Sequence, residues 1–311
     1  MDVPEVVFPN LGIEISVLPK IAFSIGPLNI YWYGVCIVLG VIGGTLWAIR
    51  EAKRVGQKPE LYTDFLFYVL IFSLIGARIY YVIFSWDSYK DDWIRVFAIR
   101  EGGLAIYGGV IAAFATAIVY TRVRNLDFWA FADVCAPGLV LGQAIGRWGN
   151  FFNREVFGGF TNSLPAMRYI ADQVNVIPQS VMDNAIIVNG TQYIQVVPAF
   201  LYESLWNLLV LCFLVLFRKH KKLDGEVIIL YLVGYGFGRF FIEGIRTDQL
   251  MLFNTGIPVS QLISAILVIG GLIFFFMARM AKAKLSPPSH AKRKRRAKVN
   301  KHRNRDRSEE E

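Results

Sequence analysis

The chain has 311 residues, is 55% hydrophobic and 18% charged, and carries a formal net charge of +9. Soluble domains average roughly 45–50% apolar and 25% charged, so this composition excludes an ordinary soluble globule. The positive charge does not point to nucleic acid, because it gathers after the last apolar block, in Lys292-Arg293-Lys294-Arg295-Arg296 and on to Arg307.

Residues 1–29 hold Asp2, Glu5, Glu14, Pro4, Pro9, Pro19 and Pro27. A cleavable signal would show a basic start and an apolar core there, so the stretch is expected to form an extracytoplasmic N-terminal segment. Apolar blocks follow at residues 30–49, 65–84, 104–121, 128–146, 199–217, 226–243 and 257–278. Each is long enough to cross a ~30 Å hydrocarbon layer as a helix. The expected fold class is therefore an all-α integral membrane protein with seven transmembrane helices, its catalytic domain spanning 30–278. Residues 85–103 read as an outer interfacial arm with Trp86, Tyr89 and Trp93 at headgroup depth. Residues 147–198 form the largest extramembrane piece. There Val174, Val176, Ile177, Val181, Ile186, Ile187 and Val188 favour a small β-containing cap. Residues 279–311 are expected to be a disordered basic cytoplasmic tail that faces lipid or the ribosome.

Lys and Arg set the orientation. Arg50, Lys53, Arg54 and Lys58 follow span one, Arg122 and Arg124 follow span three, and Arg218, Lys219, Lys221 and Lys222 follow span five, on the same side as the tail. The C-terminus is thus expected in the cytoplasm and the N-terminus outside. Cys36, Cys135 and Cys212 lie in apolar blocks without metal-ligand spacing and read as buried hydrophobes.

Ionisable groups at membrane depth are expensive and need a partner or a role. For Arg78 and Asp133 two readings stand open, a structural pairing that locks the bundle or a function. Denser patterns lie elsewhere. Gly146-Arg147-Trp148-Gly149-Asn150-Phe151-Phe152-Asn153-Arg154-Glu155 gathers two Arg, two Asn and a Glu. Arg239, Glu243 and Arg246, spaced i, i+4, i+7, share one helical face. With alternating span directions, Tyr33, Tyr107, Arg147, Tyr202, Glu203 and Arg239 all fall at the outer ends of their spans. Arg suits phosphate capture in a low-dielectric setting. One anion-binding site facing the outer leaflet is expected.

The run from Gly146 to Gly158 resembles the G-R-x-G-N-F-x-N-x-E-x-x-G signature of the bacterial prolipoprotein diacylglyceryl transferase family. Trp32-Tyr33-Gly34, Gly102 to Gly109, Pro198 to Ser204, and Gly234 to Arg239 with Glu243 and Arg246 are similar to further family blocks, in family order. The resemblance implies a membrane transferase that moves the diacylglyceryl group of phosphatidylglycerol to the lipobox cysteine of a prolipoprotein, releasing glycerol phosphate. It implies neither metal nor cofactor. On that basis Arg147 and Arg239 would hold the phosphate and stabilise the charge that develops on it. Asn150, Asn153, Tyr33 and Tyr235 would orient the headgroup. Glu155, Glu203 and Glu243 would orient those arginines or accept a proton, and Gly149 and Gly158 would be structural.

The chain departs from the family at Tyr107 and Val197, where many members carry His. Its own His220, His290 and His302 are all expected on the cytoplasmic side. Either a tyrosine or a carboxylate activates the thiol, or arginines lower its pKa. The residues favour the arginine route, with Tyr107 as a positioning hydroxyl. The alternative function is a transporter or binding protein for anionic lipid headgroups, but spans one, three and five lack ionisable residues in their inner halves.

Overall fold

A computed structural model describes residues 3–90, 92–99, 102–252 and 255–285. Seven of its helices are long and apolar enough to cross a membrane. They are α1 (Trp32–Arg54), α2 (Glu60–Phe84), α3 (Ile106–Val123), α4 (Phe128–Asn153), α6 (Ala199–Phe217), α7 (Glu226–Ile245) and α8 (Val259–Leu285), while α5 (Gln179–Met182) is a single turn outside them. Large apolar side chains such as Phe67, Phe72, Ile111, Phe114, Leu209 and Ile266 stay exposed along these helices, as expected where the solvent is lipid. The tail expected to be disordered from residue 279 is instead helical as far as Leu285, as the last turns of α8, and its remainder lies outside the described residues.

Several helices outrun their apolar windows. The α2 helix begins at Glu60, and its polar first turn is anchored by Asp64, 3.0 Å from Arg124 Nη2 beyond α3. The α4 helix runs on to Asn153, which places the Gly-Arg-Trp-Gly-Asn run on its last turns. A helix continues while its backbone groups find partners, whatever the polarity of the side chains.

Two glycine seams fix the closest crossings. Gly40 and Gly44 of α1 lie against Gly142 and Gly138 of α4. A Cβ on Gly40 would sit 2.8 Å from the Gly142 carbonyl oxygen, and one on Gly44 would sit 2.6 Å from that of Gly138. In the α2–α3 pair, a Cβ on Gly76 would sit 2.8 Å from the Gly108 carbonyl oxygen. Lipid gives little hydrophobic drive between helices, so such close packing carries much of the association.

The cap is a sheet of five antiparallel strands in the order β2-β1-β5-β7-β6, from β1 (Val6–Phe8), β2 (Ile13–Ile15), β5 (Met167–Ile170), β6 (Ile186–Val188) and β7 (Thr191–Val196). A separate hairpin, β3 (Ile21–Ile25) and β4 (Leu28–Tyr31), leads into α1. Only Ile186, Ile187 and Val188 of the apolar residues that suggested strands are in one. Val174 closes a 3-10 turn and Val181 lies in α5. The N-terminal segment supplies two strands, and its Val6 and Phe8 pack with Met167, Tyr169, Ile194 and Val196. That core includes Phe151 of α4 and Phe200 of α6, so the sheet is seated on the helix ends.

Arg78 and Asp133 do not pair with each other. The Arg78 guanidinium donates to the carbonyls of Arg95 (2.6 Å), Val96 (2.7 Å), Gly102 (2.8 Å) and Gly103 (2.9 Å), holding the arm through carbonyl dipoles. It also lies 5.2 Å from the ring centroid of Tyr89. Trp86 and Trp93 are exposed, whereas Tyr89 is buried beneath that cation. Asp133 pairs with Lys221 at 2.8 Å and accepts the N–H groups of Gly225 and Ile228, both at 2.8 Å. It thus caps the start of α7 from a neighbouring helix.

Candidate active site

The last turns of α4 and the loop after them organise the cap end of the bundle. The helix closes with Arg154 in the left-handed region (φ 55°). The Arg154 N–H returns to the Phe151 carbonyl and the Glu155 N–H to that of Asn150, both at 3.1 Å. This is a Schellman closure, normally given to glycine, and an L residue there costs roughly 1–2 kcal/mol. Buried Arg154 offsets that cost by donating to the Leu18 carbonyl (2.7 Å) and pairing with Glu5 Oε2 (2.8 Å). Val156 is also left-handed (φ 56°), a strained position for a β-branched residue. Gly158 then docks: its N–H donates to the Val197 carbonyl at 2.9 Å, and a Cβ there would sit 2.7 Å from the Ile245 oxygen.

The effect on Glu155 is specific. Between two strained neighbours it turns back over the helix end, where Oε1 accepts Asn150 Nδ2 at 2.9 Å and Asn153 Nδ2 at 3.4 Å.

Beside this loop runs a chain of alternating charges from three helices. Glu203, on the first turns of α6, is buried with 3% of its side chain exposed. Its Oε2 lies 3.0 Å from Arg147 Nη1, and its Oε1 accepts Arg239 Nη1 at 2.6 Å. Arg239 Nη2 reaches Glu243 Oε2 at 2.6 Å, and Arg246 Nη1 stands 3.7 Å from the same oxygen. Arg246 completes the chain on Asp248 with two hydrogen bonds, at 2.9 and 2.7 Å. Partial burial works against ionisation of Asp248, but the Arg246 hydrogen bond and charge outweigh it and hold the carboxyl below its usual range. Arg147 differs from the others. Among the described residues it makes the ion pair to Glu203 and no hydrogen bond, so its N–H donors are left for a ligand.

Arg147, Arg239, Glu203 and Glu243 are thus joined in one network, with Asn150, Asn153 and Glu155 beside it. Tyr33 is half-buried against Gly149, where a Cβ would meet its ring at 2.9 Å, and the charges of both Glu155 and Arg147 act on its hydroxyl. The structure does not bring two expected residues into the network. The Tyr107 hydroxyl lies 3.3 Å from Ser260 Oγ and links α3 to α8, and Tyr235 stacks on Tyr231 one helical turn away. His220 follows α6 at the end opposite the cap. His290 and His302 lie outside the described residues.

Some contributors escaped sequence reasoning. Trp148 Nε1 donates to Ser204 Oγ at 3.2 Å, and Ser204 donates to the Ala144 carbonyl at 2.9 Å, fixing α4 to α6 beside Glu203. Lys20 lines a cavity of about 540 Å³ with Tyr33, Asn153 and Asn175. Asp248 was legible as the partner two residues after Arg246, whereas no local pattern marks Lys20 or Asn175. A second cavity of about 360 Å³ lies against Glu155, Asn153 and Asp248. An apolar groove of about 390 Å³ between α1, α2 and α4 extends from Tyr62 and Phe65 up to Gly146, next to Arg147.

Comparison with known proteins matches this sequence to a family. The family model described as prolipoprotein diacylglyceryl transferase covers residues 20–277. A phosphatidylglycerol–prolipoprotein diacylglyceryl transferase of Halalkalibacterium halodurans is 44% identical over 265 residues, 85% of this chain and 88% of the relative. The protein of that name from Oceanobacillus iheyensis is 44% identical over 264 residues, 84% and 88% of the two chains. One from Staphylococcus aureus is 40% identical over 282 residues, 91% and 96%. With the match running from the β3–β4 hairpin through α8, the chain belongs to the prolipoprotein diacylglyceryl transferase family.

Proposed function

We propose that this chain transfers the diacylglyceryl group of phosphatidylglycerol to the lipobox cysteine of a prolipoprotein, the first step of lipoprotein maturation. The observation that carries this most directly is the convergence of Arg147 and Arg239 on the two oxygens of buried Glu203. One carboxylate holds two guanidinium groups from different helices at one point, and the donors of Arg147 remain unspent. A phosphodiester fits there. The thiolate sulfur attacks the glycerol carbon that bears the phosphate, the C–O bond breaks with its electrons passing to the phosphate oxygen, and glycerol phosphate leaves. Its charge rises from one to two in that step, and donors already in place stabilise the change without reorganising. Asn150 and Asn153 orient the headgroup, with Tyr33 beside them, and the groove ending at Gly146 gives an acyl chain an apolar path toward the membrane.

Purified protein supplied with phosphatidylglycerol and a lipobox peptide is expected to yield thioether-linked peptide and glycerol phosphate in equal amounts. A peptide with serine for the cysteine is expected to yield neither. Failure to form either product from the cysteine peptide would exclude this chemistry.

The cap and the N-terminus face the outside of the cell membrane and the C-terminus faces the cytoplasm. Arg50, Lys53, Arg54, Arg122 and Arg124 gather at the end of the bundle opposite the cap, the side on which basic loops are retained. In a variant lacking the three native cysteines, Asn175→Cys is expected to react with an impermeant maleimide on intact cells. Lys219→Cys is expected to react only after permeabilisation, and the reverse pattern would invert the topology.

A further inference from the structure

We infer that Glu155 is the group that takes the proton from the cysteine thiol, an assignment that rests on the transferase chemistry proposed for this site. A free thiol is ionised only to a few per cent at neutral pH, so either its pKa falls or a base removes the proton. The arginine network is poorly suited to the first role. Arg147, Arg239 and Arg246 are matched by Glu203, Glu243 and Asp248. This cluster is neutral before substrate arrives, and the donors left over face a phosphodiester that uses them. Little positive potential remains in this cluster to hold a thiolate.

Glu155 stands in the opposite situation. Among the described residues it has no cationic partner. Arg154, its neighbour in sequence, is committed to Glu5 and the Leu18 carbonyl. Only the amides of Asn150 and Asn153 hold Glu155, both on Oε1, and Oε2 is left to act. Strained backbone on each side keeps it turned back over the end of α4 onto Asn150, which lies one helical turn after Arg147, and it faces the cavity it shares with Asn153 and Asp248. Tyr33 lies beside Glu155, but a phenol that ionises at about 10 in water is a weaker acceptor at neutral pH than a carboxylate. The Tyr107 hydroxyl is bonded across to Ser260, and the described histidine lies at the far end of the bundle.

The charge balance favours this transfer. The thiol proton passes to Glu155 Oε2, the S–C bond forms, the C–O bond breaks, and the phosphodiester monoanion becomes a glycerol phosphate dianion. Glu155 loses its negative charge as the phosphate gains one. The site therefore holds two negative charges before and after the step. The proton then leaves with the phosphate or passes to water.

Glu155→Gln keeps an oxygen acceptor for both amides, so the loop retains its anchoring while the base is lost. With a cysteine peptide its rate at neutral pH is expected to fall about a hundredfold or more and to recover as pH rises toward the thiol's own ionisation near 8.5. With a selenocysteine peptide, whose selenol is already ionised at neutral pH, the variant is expected to match the unaltered protein within a few-fold. Glu155→Asp, which retains a carboxylate, is expected to fall between the two with the cysteine peptide. Wild-type protein given the cysteine peptide reports separately on the transferase chemistry. Near-normal activity of Glu155→Gln with cysteine would overturn the assignment in favour of arginine-assisted ionisation. Equal loss with both peptides would overturn it in favour of a purely positioning role.

Discussion

Arg147→Ala is expected to lower kcat by about a hundredfold to a thousandfold while the protein still folds. The magnitude is that of removing a preorganised donor from the place where charge develops. The fold survives because Glu203 keeps its 2.6 Å bond to Arg239 after Arg147 is gone. Arg239 is different. It serves Glu203 and Glu243 together, and its removal leaves two buried carboxylates short of a partner. Breaking a buried pair costs about 3–5 kcal/mol, so Arg239→Ala is expected to lose stability as well as activity. Glycerol phosphate release and thermal melting in detergent separate the two effects. Arg147→Lys is expected to recover only part of the rate, because a point charge does not reproduce the planar fork. Wild-type turnover in Arg147→Ala would remove this arginine from the chemistry.

Gly138→Val is expected to prevent correct packing of the bundle. The atom facing any Cβ at this position is the backbone carbonyl of Gly44, which cannot rotate aside as a side chain would. Relief requires α1 to move away from α4, the most buried of the spanning helices. Overpacking a well-packed interior typically costs about 1–3 kcal/mol, and a backbone obstacle lies at or above the top of that range. A fall in melting temperature on the order of 10 °C, with most of the protein lost from the folded fraction, is the expected readout. Gly146→Ala is the control on the same helix, because a Cβ there meets no atom within 4 Å. Its melting temperature is expected to be unchanged. Equal stability of Gly138→Val and the parent protein would show that the seam is not the constraint it is taken to be.

The spanning helices were legible because lipid selects long apolar runs, and the pattern survives in a single sequence. Their ends were less legible. Asp64 and Asn153 are helical through partners that lie far away in the chain or in the loop that follows. The cap was harder still. β1 and β2 are three-residue strands, and β1 meets β5 only because the chain returns some 160 residues later, a register that no local alternation encodes. The candidate site divides in the same way. The common level of Arg147, Glu203 and Arg239 followed from span direction, since alternating helices bring such residues to one end. Which acid takes which base did not follow, because salt-bridge choice depends on helix rotation and side-chain reach. Arg154 shows the difficulty best. It sits inside the signature run and looks equivalent to Arg147, yet the left-handed backbone turns it toward Glu5 and the N-terminal segment.

The Glu5–Arg154 clasp has a practical corollary for anyone handling this enzyme. Glu5 is stitched to the loop that presents Glu155, and its neighbour Val6 pairs with Tyr169. The functional end therefore cannot be finished until synthesis has passed Tyr169 and the earlier strand has waited for it. An insertion beside Glu5 or Val6 would crowd that junction and is expected to disturb the loop that carries Glu155.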